Sequence, residues 1–205
     1  MSTTALELIE AVLFDMDGTL VDSDAAVERA WLTWAAEYDA DPDAVLAVAH
    51  GAPAERTVRL TRPDLDDAAV AVAAARQLEL QYDDLGDVVA TPGSLELLAG
   101  LRLPWAVVTS ADVRLARARL GAAGIDVAVL VTVEDIRVGK PDPEGYLWGA
   151  ALLGVPPGRC LVVEDAEVGV AAGRAAGAIV AALKGIAADI MIGDLAELTP
   201  LLPRR

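Results

Sequence analysis

Cysteine is scarce in this sequence, which restricts both the thiol chemistry of the chain and its stabilisation by disulfides. Cys160 is the single cysteine, so no internal disulfide can form. It opens the apolar run 160–163, which predicts a buried and unreactive strand residue suited to the reducing cytoplasm. The first ten residues carry acids and no basic segment, so we expect no signal peptide and a cytoplasmic protein.

Long apolar runs and aromatic residues are also scarce. No uninterrupted apolar window of about 18 residues occurs, so the sequence predicts no membrane span. Aromatic residues make up 4% of a chain that is 55% hydrophobic, so alanine, leucine and valine must fill the interior. With 205 residues, the chain is long enough for one core, or for a core and a small second module.

Positive charge is in short supply. The chain has 32 acidic and 16 basic residues, and its formal net charge is −16. This balance argues against a nucleic-acid-binding protein, because nucleic acids are themselves polyanions. It also repels anionic substrates at long range, so a phosphate substrate would need positive charge supplied by the site itself.

Short apolar segments separated by helical patterns indicate an α/β fold. Strands are predicted at 12–14, 105–108, 127–131, 160–163, 179–182 and 190–192. The alternation of strands with helices predicts a doubly wound, Rossmann-like parallel sheet that is covered by helices on both faces.

The interval 23–91 interrupts this alternation, because it shows helical periodicity and no convincing strand. Aromatic and small residues between 31 and 38 share one face of a predicted helix, and a second helix is predicted over 66–82. We therefore expect an inserted α-helical cap domain at 23–91 and an α/β core domain formed by 1–22 and 92–205.

The most informative stretch is the run AVLFDMDGTLVDSD at 11–24. Its first four residues predict a buried strand, which Asp15, Asp17 and Gly18 follow. Where the strand gives way to a loop, both carboxylates can face one crevice, and Gly18 permits a sharp turn. Two acids against an apolar strand need a positive partner, and hard oxygen ligands suit Mg²⁺. The alternative is an acidic surface turn.

Polar groups follow the other predicted strands as well. Thr109 and Ser110 follow the second strand, Lys140 stands in GKPDP after the third, and Glu164 and Asp165 follow the fourth. Ligands of a doubly wound sheet bind at the carboxyl ends of its strands. These residues are therefore candidates for holding a phosphate group and a metal ion.

Each of these groups has a structural alternative when it is taken alone. Thr109 or Ser110 could cap the helix that begins near residue 112, and Glu164 with Asp165 could cap a later helix. Lys140 could be an ordinary solvated lysine in a loop. Their joint occurrence, always at a strand end, favours the functional interpretation.

Together these motifs resemble the haloacid dehalogenase superfamily of phosphohydrolases over nearly the whole chain. DMDGTLVDS is similar to its first motif, Thr109-Ser110 to the second, Lys140 in GKPDP to the third and Glu164-Asp165 to the fourth. The helical insertion resembles the cap of the phosphoglycolate phosphatase and β-phosphoglucomutase branch. Within that branch, HGAPAERTV, WAVVTS and GKPDPEGYL are similar to small-sugar phosphatases of the glycerol-phosphate and 2-deoxyglucose-phosphate types.

The resemblance implies a Mg²⁺-dependent phosphatase that hydrolyses a small sugar or polyol monophosphate. It assigns the nucleophile to Asp15 and the general acid and base to Asp17. It implies that Thr109 binds a phosphoryl oxygen, with Ser110 beside it as a further substrate contact, and that Lys140 bridges the nucleophile and the phosphate.

The resemblance also implies a metal site and a substrate-selecting segment. Mg²⁺ would be held by the Asp15 and Asp165 side chains and the Asp17 backbone carbonyl, with Glu164 orienting water molecules on the metal. The cap segment contributes three candidate substrate-binding residues: His50, Gly51 and Arg56. The histidine could equally be a polar residue at a helix end, and the arginine a surface residue paired with an acid.

Other functions share parts of this pattern. A dehalogenase would have no use for Asp17, whereas a phosphomutase of the same branch would keep every core residue and differ in its cap. A phosphoglycolate phosphatase, a non-catalytic phosphate-binding protein and a receiver-like signalling domain are further alternatives. The expected partner is a small phosphate ester, with no nucleic acid and no membrane, and we expect a monomer or a weak homodimer.

Overall fold

The computed structural model describes residues 6–49, 53–82 and 85–203, and the chain divides into two compact units. The first unit combines Met1–Asp22 with Val89–Arg205, and the second unit is Ser23–Val88. The second boundary thus lies before residue 91, where the sequence pattern ends the insertion.

The first unit is built on a six-stranded sheet. In chain order, the strands of this sheet are β1 (Ala11–Phe14), β4 (Trp105–Val108), β5 (Leu130–Val131), β6 (Cys160–Glu164), β7 (Ile179–Ala182) and β8 (Ile190–Met191). Two short strands, β2 (Val21–Asp22) and β3 (Val89–Ala90), form a separate ribbon. The sheet has the order β5-β4-β1-β6-β7-β8, and all its paired strands are parallel. The predicted doubly wound α/β fold is confirmed, with β1 between β4 and β6.

Helices pack against this sheet closely enough to limit side-chain size. Among the described residues, the α-helices of the first unit are α5 (Ser94–Gly100), α6 (Val113–Ala122), α7 (Glu144–Leu153) and α8 (Glu167–Ala175). A Cβ atom added at Gly149 of α7 would lie 3.0 Å from Val108 and 3.2 Å from Leu13. One added at Gly173 of α8 would lie 2.9 Å from Val162. Glycine therefore sets how closely both helices approach the strands.

Three strand predictions need correction. The strand predicted at 127–131 pairs only at Leu130–Val131, because the chain bends before it reaches β4. The strand predicted at 190–192 ends at Met191. The interval 23–91 does contain a strand, since Val89 and Ala90 pair antiparallel with Asp22 and Val21. A ribbon of two residues on each side is too short to show the alternation by which strands are recognised.

The second unit is helical in its described residues. It contains α1 (Asp24–Glu37), α2 (Pro42–Ala49), α3 (Ala54–Thr61) and α4 (Asp67–Tyr82). The predicted aromatic face is present on α1, where Trp31 and Trp34 are buried edge to face with ring centroids 5.4 Å apart. The indole nitrogen of Trp34 donates to the carbonyl of Ala73 on α4 at 2.8 Å, so the buried polar group is satisfied.

The helices are also short. The longest described helix, α4, has 16 residues, and a span needs about 20 apolar ones. Within residues 6–49, 53–82 and 85–203, no helix has the length and apolar character needed to cross a membrane.

Cys160 lies at the start of β6 and is fully buried, as its apolar surroundings in the sequence predict. Its thiol donates to the carbonyl of Pro156 at 3.6 Å. Burial raises the pKa of the Cys160 thiol to about 11, so the reactive thiolate is not formed at neutral pH.

Candidate active site

The carboxyl ends of three adjacent strands bring the predicted residues together. Asp15 follows β1, Thr109 follows β4, and Glu164 ends β6 just before Asp165. Because β4, β1 and β6 are neighbours and parallel, these ends lie at the same edge of the sheet. The chain positions are far apart, yet strand order alone places them side by side.

Lys140 enters this edge from the loop before α7. Its Nζ donates to Oδ1 of Asp15 and to Oε1 of Glu164, the latter at 2.7 Å, and to the carbonyl of Val108 at 3.2 Å. The ammonium group is nearly buried, as are both carboxylates. The alternative of a solvated surface lysine is therefore wrong.

Glu164 is 1% exposed, and both its oxygens are occupied by protein donors. Oε1 accepts from Lys140 and from the hydroxyl of Tyr146, the latter at 2.6 Å. Oε2 accepts from the backbone nitrogens of Asp165 and Ala166 at 3.1 and 3.2 Å. Glu164 thus holds Lys140 in place. Tyr146 was not singled out by sequence, and its place within GKPDPEGYL was the signal available.

Two glycines leave the space that the acids need. A Cβ atom at Gly169 of α8 would lie 1.7 Å from Oε1 of Glu164, so any larger residue would displace that carboxylate. Gly18 has φ +77°, and its Cβ would lie 2.0 Å from Oδ2 of Asp165. The sharp turn predicted at Gly18 therefore also brings the first loop against the acid that follows β6.

Three carboxylates form a group that could hold a metal ion. Asp15, Glu164 and Asp165 each offer an oxygen, and these oxygens lie within 4.8 Å of one another. Since the oxygens of Glu164 already accept four hydrogen bonds, Asp15 and Asp165 are the better metal ligands. Asp165 accepts from Lys184 at 2.9 Å and from the hydroxyl of Thr19 at 3.4 Å.

The sequence contains two lysines, and both lie in this cluster. Their two positive charges face the three acids, so the cluster carries an excess of negative charge. Burial raises the pKa of Asp15 well above its usual range; Lys140 opposes the rise, and Glu164 and Asp165 add to it. Burial alone would lower the pKa of Lys140, but Asp15 and Glu164 outweigh it and the pKa is raised. Both directions indicate a site that favours additional positive charge.

Asp17 lies in the loop after β1, and its carboxylate contacts a buried arginine. Oδ2 of Asp17 and NH1 of Arg119 are 2.9 Å apart; the Asp17 side chain is 31% exposed and that of Arg119 is 3% exposed. Arg119 was missed by sequence. The available signal was a cation four residues after Leu115, on the apolar face of α6.

Thr109 and Ser110 do not cap α6, so that alternative is wrong. The cap is Asp112, whose side chain accepts from the backbone nitrogen of Leu115 at 2.8 Å. Thr109 is buried, and its hydroxyl oxygen accepts from the backbone nitrogen of Ala111 at 3.1 Å, which leaves its own hydrogen to donate. Ser110 is exposed. A cavity of about 10 Å³, room for one water molecule, lies beside both residues and Lys140.

Of the three candidate substrate-selecting residues, Arg56 lies within the described part of the chain. Arg56 is exposed on α3. His50 and Gly51 lie outside the described residues.

Comparison with known proteins identifies the family. A profile described as haloacid dehalogenase-like hydrolase matches residues 9–177. Hexitol phosphatase A of Escherichia coli (strain K12) is 41% identical over 198 residues, which cover 91% of this chain and 92% of that protein. 2-Deoxyglucose-6-phosphate phosphatase 1 of Saccharomyces cerevisiae is 36% identical over 188 residues, 82% of this chain and 76% of that protein.

A solved structure extends the likeness to the whole fold. β-Phosphoglucomutase from Clostridium difficile has a TM-score of 0.80 at 20% identity and covers 93% of each chain, which shows the fold alone. The profile match spans most of the chain and includes Asp15, Thr109, Lys140 and Asp165. As its motifs predict, the chain belongs to the haloacid dehalogenase-like hydrolase family.

Proposed function

We propose that this protein is a Mg²⁺-dependent phosphatase that hydrolyses a small sugar or polyol monophosphate through an aspartyl-phosphate on Asp15. The observation that carries the proposal is the placement of Asp15 at the end of a central strand, in contact with Lys140. A carboxylate held beside a fixed cation is suited to attack a phosphate monoester, because the cation offsets the repulsion between the two anions.

In the first step, an Asp15 carboxylate oxygen bonds to phosphorus while the bond from phosphorus to the alcohol oxygen breaks. The leaving alkoxide needs a proton, which Asp17 supplies as general acid. Asp17 is suited to this task because it lies two residues beyond Asp15 and its side chain is partly exposed, with room to meet a substrate. The products are the free alcohol and a phosphorylated Asp15.

In the second step, a water molecule attacks the phosphorus of the aspartyl-phosphate and passes a proton to Asp17. The bond between Asp15 and phosphorus breaks, which releases inorganic phosphate and restores both the Asp15 carboxylate and the protonated Asp17. Thr109 donates its hydroxyl hydrogen to a phosphoryl oxygen, and Lys140 stabilises the negative charge on the transferred group in both steps. Glu164 and Tyr146 hold Lys140 in the orientation that this requires.

The acidic cluster fits a magnesium ion. Its donors are hard oxygens, and the charge of three acids exceeds that of the two lysines even before a phosphate dianion arrives. The Asp15 and Asp165 side chains and the Asp17 carbonyl would hold the ion. When bound, Mg²⁺ neutralises negative charge on the phosphate oxygens.

Two observations support the substrate class. The named relatives are a hexitol phosphatase and a 2-deoxyglucose-6-phosphate phosphatase, both of which are named for small sugar or polyol phosphates. The net charge of −16 repels substrates that carry several charged groups, such as nucleotides. A neutral leaving group with a single phosphate is therefore favoured.

The covalent intermediate is testable by trapping. Asp15→Asn should lower turnover by at least about 10³-fold, because the amide cannot form the phosphoryl bond. Acid quenching of the wild-type reaction, followed by mass spectrometry, should find one phosphoryl group on Asp15. Asp126→Asn, at an exposed acid, is the matched control and should keep full activity. Wild-type rates for Asp15→Asn would exclude the mechanism.

Removal of the metal should abolish activity. EDTA should stop turnover, Mg²⁺ should restore it, and Ca²⁺ should inhibit because its larger, looser coordination misplaces the reacting groups. Mg²⁺ at 100 times its Kd should also stabilise the folded wild type by about 3 kcal/mol, which raises its melting temperature. Asp165→Asn should lose most of that rise. Full activity after thorough chelation would contradict the proposed metal.

Lys140→Ala should slow catalysis by about 3–4 kcal/mol of transition-state free energy, the typical loss for one fixed electrostatic donor. Lys140→Arg should recover little, because a planar guanidinium does not replace a compact ammonium between two carboxylates. The control is Arg137→Ala, a cation in the same loop whose side chain is 92% exposed. Equal kcat values for the two alanine variants would remove Lys140 from the mechanism.

Substrate selection is proposed to involve Arg56, on the resemblance of residues 50–58 to sugar phosphatases. Arg56→Ala should lower kcat/KM for a hexitol or deoxyhexose phosphate about tenfold, the typical loss for a charged hydrogen bond, and spare p-nitrophenyl phosphate. Arg59→Ala is the control on the same helix, since Arg59 pairs with Asp67 at 2.7 Å. Equal losses on both substrates would contradict this role.

A panel of phosphate esters tests the substrate class itself. Higher activity on nucleotides or phosphoglycolate than on polyol phosphates, or an isomerised sugar phosphate as product, would overturn the substrate class.

A further inference from the structure

Arg119 is a charged residue in a place where an apolar one would pack well. It lies on α6 on the same buried face as Leu115, Ala116 and Leu120. A buried guanidinium loses its hydration, and ion pairs in such positions are often no more stabilising than hydrophobic residues of similar volume. Stability therefore does not explain an arginine at this position, and its contact with Asp17 has to be considered.

The ion pair joins a buried side chain of the first unit to a partly exposed one. NH1 of Arg119 and Oδ2 of Asp17 are 2.9 Å apart, and the arginine is buried whereas the aspartate is partly exposed. An arginine enclosed by packed side chains has little rotational freedom, since interiors are close-packed. The partly exposed aspartate would otherwise be able to exchange between rotamers. The buried cation thus restrains the exposed acid.

The path of the loop that carries Asp17 does not depend on Arg119. The backbone nitrogen of Gly18 donates to the carbonyl of Val21 at 2.7 Å. The backbone nitrogens of Leu20 and Val21 both donate to the carbonyl of Met16 at 2.9 Å. These bonds fix the main chain on both sides of Asp17, so what Arg119 adds is the direction of the carboxylate.

We propose that Arg119 is a positioning residue that holds the Asp17 carboxylate in the orientation needed to give a proton to the leaving oxygen and to accept one from the attacking water. This inference rests on the proposed function, in which Asp17 is the general acid and base. Arg119 itself touches neither substrate nor metal in this scheme. Its effect should be large, because misplacement of a catalytic group by about 1 Å can slow a reaction about 10²-fold.

The test compares two leaving groups. For a substrate such as glycerol 1-phosphate, formation of the aspartyl-phosphate requires a proton on the departing alkoxide, whereas p-nitrophenolate departs without one. Arg119→Met should therefore lower kcat/KM about 100-fold for glycerol 1-phosphate and less than about threefold for p-nitrophenyl phosphate. Arg117→Met, at an exposed arginine of the same helix, should change neither value by more than about twofold.

A conservative variant separates positioning from a loss of folding. Arg119→Lys keeps the charge and most of the length but loses the planar fork, so the loss for glycerol 1-phosphate should be about tenfold, again selective for that substrate. If Arg119→Met does not give a cooperative melting transition, the lysine variant decides the question. Equal losses on both substrates, no loss on either, or a faster reaction would each overturn the proposal.

A crystal structure of a folded Arg119 variant provides a readout that does not depend on turnover. The Asp17 carboxylate should occupy a different rotamer, or several, while the main chain of residues 15–21 superposes on the wild type. An unchanged Asp17 side chain would refute positioning even if activity were lost. A wild-type protein inactive on every phosphate ester would refute the proposed phosphatase activity instead. The crystal structure of the Arg119 variant would then still test whether Arg119 orients the Asp17 carboxylate.

Discussion

The arrangement of the site depends on one buried ammonium group, that of Lys140, and the two carboxylates it contacts. Asp15 directly follows β1, Glu164 is the last residue of β6, and the two strands are hydrogen-bonded neighbours. Without a cation between them, two desolvated acids would repel each other at the centre of the sheet edge. Lys140 makes their closeness tolerable and brings the loop before α7 to the same point.

The neighbouring residues are arranged around that contact. Tyr146 lies on the buried face of α7 and donates to the same Glu164 oxygen as Lys140, which links the helix to the ion pair. Burial, together with the charge of Glu164, raises the pKa of Tyr146 well above its ordinary value, so the phenol remains a donor. Gly169 of α8 leaves the space that this carboxylate occupies. Glu164, which holds the lysine, is itself held by the Tyr146 hydroxyl and by two backbone nitrogens.

Much of the fold could be predicted because its signals are local. The strands around Asp15, Thr109 and Glu164 are short apolar runs, and parallel strands buried on both faces have this appearance. The strand predictions that failed concern short or edge strands, where the local sequence signal is weak. The β2–β3 ribbon is too short for any period, and β5 is an edge strand whose extent is set by its single neighbour, β4. Neither limit is visible in the residues themselves.

The sequence by itself determined the family, the layered α/β architecture and the residues that end the strands, since apolar runs and the polar groups that follow them act over a few neighbouring residues. Tertiary structure alone decided which of those groups meet, and with what partners. Arg119 reaches Asp17, and Lys184 reaches Asp165, only because helix and loop are oriented on the sheet in one particular way. Such contacts join residues far apart in the chain, where propensity and periodicity carry no information, and packing sets their distances.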